Sequence, residues 1–201
     1  MRRMNSSIRA AVAGAAALCI ILLATPRNAA ADGDDTPLMN LVALASQRLA
    51  LAVPVARWKW ANHRPITDKS RETALLADVE KRARAAGVDP AFARMFFEDQ
   101  IEANKERQAA LFDQWRVSKP PEGPAPDLAT STRPALEQLT QSMIVGLARV
   151  QPLRDAPDCP LRLARSVQNW KSMTRYDANA TGPLARALAH ICSSGGMGAV
   201  G

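Results

Sequence analysis

Histidine is scarce in this sequence of 201 residues, and several catalytic patterns are missing from it altogether. His63 and His190 are the only histidines, and neither has a partner at the spacing of metal ligands. There is no glycine-rich phosphate loop, no Ser-His-Asp pattern and no plausible catalytic cysteine. These absences argue against a metal site, nucleotide chemistry and nucleophilic hydrolysis.

Strand signals are nearly absent as well. Aromatic residues make up only 4% of the chain, while Ala, Leu, Arg, Glu and Gln dominate it. Apolar positions recur at helical rather than alternating spacing. The sequence therefore predicts an all-α protein.

The first 31 residues have the pattern of a cleaved signal peptide. Three arginines precede an apolar stretch over about 10–24, and Ala29, Ala30 and Ala31 supply a small-residue cleavage site. A membrane anchor needs roughly 20 apolar residues, which this stretch does not reach. A lipoprotein is the alternative, because Cys19 lies in the apolar stretch, but Leu18 stands where lipid attachment needs a small residue. We therefore expect export near Ala31 to the periplasm or medium, leaving one domain over 32–201 and no membrane segment in the mature form.

Removing the leader changes the charge of the protein. The whole chain has a net charge of +7, and the leader holds four of its 26 basic residues and none of its 19 acidic ones. The mature chain is therefore only +3. That excess is too weak to indicate nucleic acid as a partner, and no basic run is interleaved with aromatic residues.

Two of the three cysteines, Cys159 and Cys192, remain in the mature chain. In an oxidising compartment such a pair predicts a disulfide, and two buried free thiols are the alternative.

Caps and breakers divide the mature chain into helices. A long first helix is predicted over about 37–62, with a kink or break at Pro54. The others are predicted over about 67–86 (stopped by Gly87), 89–116, 132–150, 160–171 and 183–191, with a proline-rich loop at 119–126. The expected architecture is a helical bundle whose C-terminal section is tied by the disulfide.

Polar residues on the inner faces of these helices are the informative ones. Arg48 and Lys59 are eleven residues apart, nearly three helical turns, so they point the same way. A lysine extending to solvent from the patch formed by Trp58 and Trp60 is the alternative interpretation of Lys59.

Two further helices each carry a polar face. Asp68, Arg71, Glu72 and Leu75 share one face of the second helix, where a surface ion-pair cluster is the alternative. Gln100, Asn104 and Gln108 form an uncharged amide stripe on the third helix, which suits hydrogen bonding inside a pocket.

Arg133 begins the fourth helix, where it can lean over a cavity in the bundle, although alone it would be an ordinary exposed arginine. Together these positions supply arginines, a lysine, a carboxylate and amides, but no general base or nucleophile. Such a set binds a dianionic small molecule, since guanidinium groups suit carboxylates.

Several segments carry a resemblance to a known family. They are 47–49 (QRL), 53–60 (VPVARWKW), 65–72 (PITDKSRE) and 97–101 (FEDQI), followed by Arg133 and the late cysteine pair. With these in order, nearly the whole mature chain resembles the secreted, all-helical (gamma) subclass of chorismate mutases. The resemblance implies an isomerase that rearranges chorismate to prephenate on the branch to phenylalanine and tyrosine, without a cofactor.

The resemblance also implies roles for residues. Lys59 and Gln108 would donate hydrogen bonds to the ether oxygen and are the expected catalytic residues. Arg48, Arg71 and Arg133 would hold the two carboxylates. The remaining three expected contacts are a hydroxyl acceptor at Glu72, support from Asp68, which also orders Arg71, and help to a carboxylate from Asn104. A contact from Leu75 is doubtful, because some relatives carry a polar residue there.

Two rival functions remain open at this point. One is an exported, non-catalytic binding protein for an aromatic or dicarboxylic acid, and the other is an interaction protein whose polar faces meet a partner. The resemblance also implies a homodimer with one active site within each protomer, although no heptad seam marks the interface.

Overall fold

Seven α-helices and no strand make up the part of the chain that the structure, a computed structural model, describes, residues 34–195. The helices are α1 (Thr36–Ala50), α2 (Ala52–Ala61), α3 (Lys69–Ala85), α4 (Pro90–Ser118), α5 (Arg133–Val150), α6 (Cys159–Met173) and α7 (Thr181–Ala187). The predicted all-α class is confirmed. The predicted signal peptide, its cleavage site and Cys19 lie outside the described residues.

The predicted kink in the first helix is a break between α1 and α2 at Leu51. Pro54 lacks the N–H that would bond to the carbonyl of Ala50, four residues earlier, so the α-pattern cannot run through this point. Instead the amide of Leu51 donates to the carbonyl of Arg48 at 3.2 Å.

The predicted caps of α3 and α4 are present. Asp68 accepts a hydrogen bond from the amide of Arg71 at 3.1 Å, and Asp89 accepts one from the amide of Ala91 at 2.9 Å. Gly87 ends α3 with a φ of +71°, a backbone conformation that glycine adopts without strain.

The core lies where α1 packs against α5 and α6, and where α4 packs against α3 and α7. Phe92, Phe96 and Phe97 of α4 are fully buried in it. The run Thr36–Ala61 is long and apolar enough to span a membrane by length and composition alone. Its side chains Leu38, Leu41, Val42 and Ala45 are at most 1% exposed, however, so this stretch serves as a core helix of the bundle.

A π-helical turn, Leu128–Thr132, precedes α5 and was not predicted. Asp127 caps it, accepting from the amide of Ala129 at 2.9 Å and from the hydroxyl of Thr130 at 3.0 Å. Aspartate is a common cap of helical turns, but composition does not distinguish a π-turn from a loop.

The last helix is displaced from its predicted range: α7 begins at Thr181 and ends at Ala187 rather than running to Ile191. Beyond it the amides of Leu188 and Ala189 donate to carbonyls three residues earlier, the pattern of a 3₁₀ turn. The next amide, that of His190, donates instead to the carboxylate of Asp99 on α4 at 3.1 Å. This long-range contact lies beyond the end of the helix, within the range predicted to be helical, and a local pattern cannot predict it.

The predicted disulfide joins Cys159, at the start of α6, to Cys192, beyond α7. It closes a loop with a sequence separation of 33 residues. We expect the variant with Cys159→Ala and Cys192→Ala to lose roughly 3–4 kcal/mol of unfolding free energy, because the open chain gains conformational entropy when unfolded. Urea unfolding of the variant and the oxidised wild type measures the difference. Equal midpoints and slopes would contradict the prediction.

Candidate active site

One cavity of about 450 Å³ opens between α2, α3, α4 and the start of α5. The eight residues predicted to bind substrate all line it: Arg48, Lys59, Asp68, Arg71, Glu72, Asn104, Gln108 and Arg133. These residues come from four helices and the end of α1, and they share one cavity rather than lying on separate surface patches. The role of each residue stays a prediction.

Arg48 is a buried residue of the cavity wall, with 8% of its surface exposed. Its Nη1 atom is buried and has no hydrogen-bond partner. The Phe97 ring, 5.7 Å from the guanidinium carbon, provides an apolar neighbour. Burial, and secondarily the charge of Arg71, lowers the pKa of Arg48 to about 10. A buried guanidinium with an unused donor is costly unless an anion completes it, so the surroundings of Arg48 suit the binding of an anion.

Lys59 is half-buried near the end of α2, and its Nζ donates to the carbonyl of Ile66 at 2.5 Å. The backbone fixes its position. The backbone amide of Arg64 donates to the carbonyl of Lys59 at 2.9 Å. The residue before it, His63, has a φ of +51°, which makes the turn that ends the helix. Burial lowers the pKa of Lys59, and the carboxylates of Asp68 and Glu72 oppose that shift. Lys59 is therefore a half-buried hydrogen-bond donor in the cavity wall rather than a lysine that extends into solvent.

The start of α3 presents two carboxylates to the cavity. Asp68 bonds to the backbone amide of Arg71, so it orders the chain at Arg71; no bond to that guanidinium is present among the described contacts. The Oε1 of Glu72 accepts from the amide of Asp68 at 3.1 Å, and its Oε2 lies 3.6 Å from the Nζ of Lys105 on α4. The carboxylate of Glu72 is thus held from both sides.

Lys105 lines the cavity and was missed by the sequence analysis. Its pairing with Glu102, three residues earlier, resembles an ordinary surface ion pair. The spacing of Lys105 along the sequence could have identified it as a cavity residue. Ile101, Asn104, Lys105 and Gln108 follow the i, i+3, i+4, i+7 pattern of a single helix face.

The amide side chains of the stripe on α4 have different hydrogen-bond partners. Gln108 is 3% exposed and donates through Nε2 to the Oδ1 of Asn104 at 2.6 Å, while its own Oε1 is buried without a partner. Gln100 instead donates to the carbonyl of Ala187 at 2.7 Å. Asn104 therefore holds the amide of Gln108, and Gln100 joins the cavity wall to the C-terminal section.

The cavity is strongly cationic. Seven basic residues line it against two acidic ones, and Arg64, Lys69 and Lys105 add to the four that were predicted. Leu75 also lines it, so the doubtful contact there is sterically available. Among the described lining residues there is no histidine, cysteine, serine or tyrosine, and the described part of the chain holds no cluster of metal-binding side chains. The arrangement is suited to binding and orienting a dianion.

Comparison with known families agrees with this geometry. Residues 39–109 match the family model of chorismate mutase type II. The chain is 32% identical over 180 residues to the secreted chorismate mutase of Mycobacterium tuberculosis, covering 88% of each protein. It is 34% identical over 146 residues to the secreted chorismate mutase of Mycolicibacterium smegmatis, covering 72% of this chain and 80% of that one.

Two solved structures are similar in fold as well as in sequence. The chorismate mutase of Burkholderia thailandensis superposes with a TM-score of 0.76 at 68% identity, over 78% of this chain and 99% of that one. The enzyme of Burkholderia phymatum gives a TM-score of 0.75 at 34% identity, over 79% and 97%.

Proposed function

The chain belongs to the chorismate mutase family of isomerases, and from this premise we propose that it rearranges chorismate to prephenate within the cationic cavity. The observation that carries the proposal is the buried, unpartnered Nη1 of Arg48, a residue that lines that cavity. A carboxylate placed there satisfies the donor and compensates the charge.

The carboxylate clamp consists of three arginines. Arg48 approaches from α1, Arg71 from the first turn of α3 and Arg133 from the first turn of α5. Holding both carboxylates from different helices fixes the flexible side chain of chorismate over its ring. This orientation lowers the barrier of an intramolecular reaction by up to several kcal/mol.

Lys59 and Gln108 are the proposed donors to the ether oxygen, on which charge builds as the carbon–oxygen bond breaks. An ammonium group has three N–H donors, and the bond to Ile66 uses one of them. A primary amide has two, and the bond to Asn104 uses one. Both groups therefore keep donors for substrate while their positions are already fixed.

The remaining polar residues take supporting roles in this proposal. Glu72 accepts the ring hydroxyl, and Asp68 supports it through the backbone at the start of α3. Asn104 assists a carboxylate through its amide nitrogen, because its Oδ1 is engaged by Gln108. The rearrangement moves electrons within one molecule, so it requires no proton transfer, covalent intermediate or cofactor.

The test is the loss of the ultraviolet absorbance of chorismate with the purified mature protein, together with identification of prephenate as the product. A non-catalytic binding protein for aromatic or dicarboxylic acids would bind chorismate and leave its absorbance unchanged. That result would overturn the proposed reaction.

The pH profile tests the role of Gln108. A neutral amide donates a hydrogen bond at any pH, so kcat/KM of the wild type should change by less than about threefold between pH 5 and 8. Gln108→Glu should lose at least roughly tenfold over that range, because glutamic acid, with an ordinary pKa of about 4.3, must be protonated to donate. Gln114→Glu, exposed on the same helix, is the control and should follow the wild type. A wild-type rate that collapses toward pH 8 with folding intact would contradict the assignment.

We also propose that the mature enzyme begins near Asp32 and acts in the periplasm or the medium, as a homodimer with one active site per protomer. Two curated relatives, those of Mycobacterium tuberculosis and Mycolicibacterium smegmatis, are named as secreted, which supports export. One chain supplies all eight predicted substrate-binding residues to the cavity, which supports a site that does not need a second protomer.

A further inference from the structure

Arg57, on α2, binds a cluster of four backbone carbonyls from the proline-rich loop that follows α4. Its Nη2 lies 3.4 Å from the oxygen of Pro121, 3.1 Å from Glu122, 3.3 Å from Gly123 and 3.2 Å from Pro124. These distances exceed the usual 2.9–3.0 Å, so the contact is a positive charge shared among four carbonyl dipoles rather than four strong hydrogen bonds.

The loop that Arg57 binds leads directly into the wall of the cavity. Pro124 is followed by Ala125 and Pro126, and then by Asp127, which caps the π-turn. The prolines restrict the backbone between the carbonyl cluster and the cap, so displacement at one end is transmitted to the other.

The π-turn and the residue after it contribute three side chains to the cavity. Leu128 and Thr132 are 8% and 3% exposed, and Arg133 follows at the start of α5. Asp127 holds the turn through its side chain, and its carbonyl accepts from the hydroxyl of Ser131 at 2.8 Å. These bonds tie the turn together, so we expect a displacement of the loop to shift Arg133 as well.

Arg57 lies two residues before Lys59 on the same helix. Its contact with the loop thus joins the helix that presents the ether-oxygen donor to the segment that presents the third carboxylate clamp. We propose that Arg57 is a positioning residue, which sets Arg133 against the substrate by fixing the loop at residues 121–124. This inference rests on the proposed function of the cavity, since it assigns Arg57 a role in that reaction.

The test is a double-mutant cycle between Arg57 and Arg133, measured as kcat and KM for chorismate. Arg57→Met should raise KM about tenfold, the effect of one misplaced charge-assisted contact, with kcat changed less than about threefold. In the Arg133→Ala background, Arg57→Met should have no further effect, because the residue it positions is gone. Arg57→Lys should recover most of the loss, since charge rather than fork geometry makes the contact. Arg116→Met, which removes an exposed arginine of α4, is the control and should match the wild type.

Hydrogen exchange of peptides covering residues 119–132 gives a second readout that does not depend on catalysis. Arg57→Met should exchange faster there than the wild type, with equal exchange in α1 and α6. Thermal melting confirms folding, and Arg57→Gln, which lacks the charge but keeps a donor, replaces Arg57→Met if that variant does not fold.

The outcomes separate the two proposals. A wild type that does not consume chorismate overturns the proposed reaction, and with it the role given to Arg57, even if exchange in the loop responds as expected. With an active wild type, additive effects of Arg57→Met and Arg133→Ala, an unchanged KM, or unchanged exchange over 119–132 would overturn the positioning role alone.

Discussion

Lys59→Ala is expected to lower kcat for chorismate by about 10²–10³, the usual cost of removing one preorganised donor at a developing charge. The loss should appear mainly in kcat, because the ether oxygen gains most of its negative charge in the transition state. Burial of Lys59 at the cavity edge makes this donor stronger than it would be in water.

The control for this variant is Lys81→Ala, which removes an exposed lysine of α3 outside the cavity. It should keep the wild-type rate, and both variants should melt within a few degrees of the wild type. An unchanged rate of chorismate loss in Lys59→Ala would refute the mechanism, since Gln108 would then be the only donor needed.

The protonation state of Lys59 also predicts how the activity depends on pH. Because burial lowers its pKa, the free enzyme should lose activity at a more moderate alkaline pH than an ordinary lysine would allow. Bound substrate places an anion near Nζ and favours the protonated form. The alkaline limb of kcat should therefore lie at higher pH than that of kcat/KM.

Arg48→Met is expected to change activity and stability in opposite directions. The variant should lose at least roughly tenfold in kcat/KM, because a charge-assisted bond to a carboxylate is removed. It should gain about 1–2 kcal/mol in unfolding free energy, because a buried charge with an unused donor and a like charge nearby is replaced by an apolar side chain of similar length. The site thus costs stability in the empty protein.

Thermal melting with and without prephenate tests both parts of this prediction. The ligand should raise the Tm of the wild type and raise that of Arg48→Met by less at the same concentration, since one of the three arginines that hold its carboxylates is gone. Arg84→Met, at an exposed position of α3, is the matched control and should behave like the wild type in each assay. A destabilised Arg48→Met that binds prephenate as tightly as the wild type would show that Arg48 supports the core rather than the site.

The sequence alone predicted the helices because their limits are local. Pro54 breaks the first helix, Asp68 and Asp89 cap the next two, and Gly87 ends α3, each through its own backbone chemistry. The last helix was predicted wrongly to run to Ile191: it ends at Ala187, and the amide of His190 bonds to Asp99, 91 residues away along the chain.

For the site, sequence order and resemblance selected eight residues, and all of them line one cavity. What each polar atom bonds to was not predictable, because those partners are set by packing between helices. Gln100 and Gln108 belong to one stripe in the sequence, yet one holds the C-terminal section and the other is held by Asn104. The contact of Arg57 with carbonyls more than 60 residues later exists only in the folded chain.

The sequence by itself therefore determined which residues form helices and which family the chain belongs to, since both follow from local patterns along the chain. Only the tertiary structure decided which donors remain unused. The unpartnered Nη1 of Arg48 is the clearest case, because burial without a partner is a property of the surroundings and not of the residue.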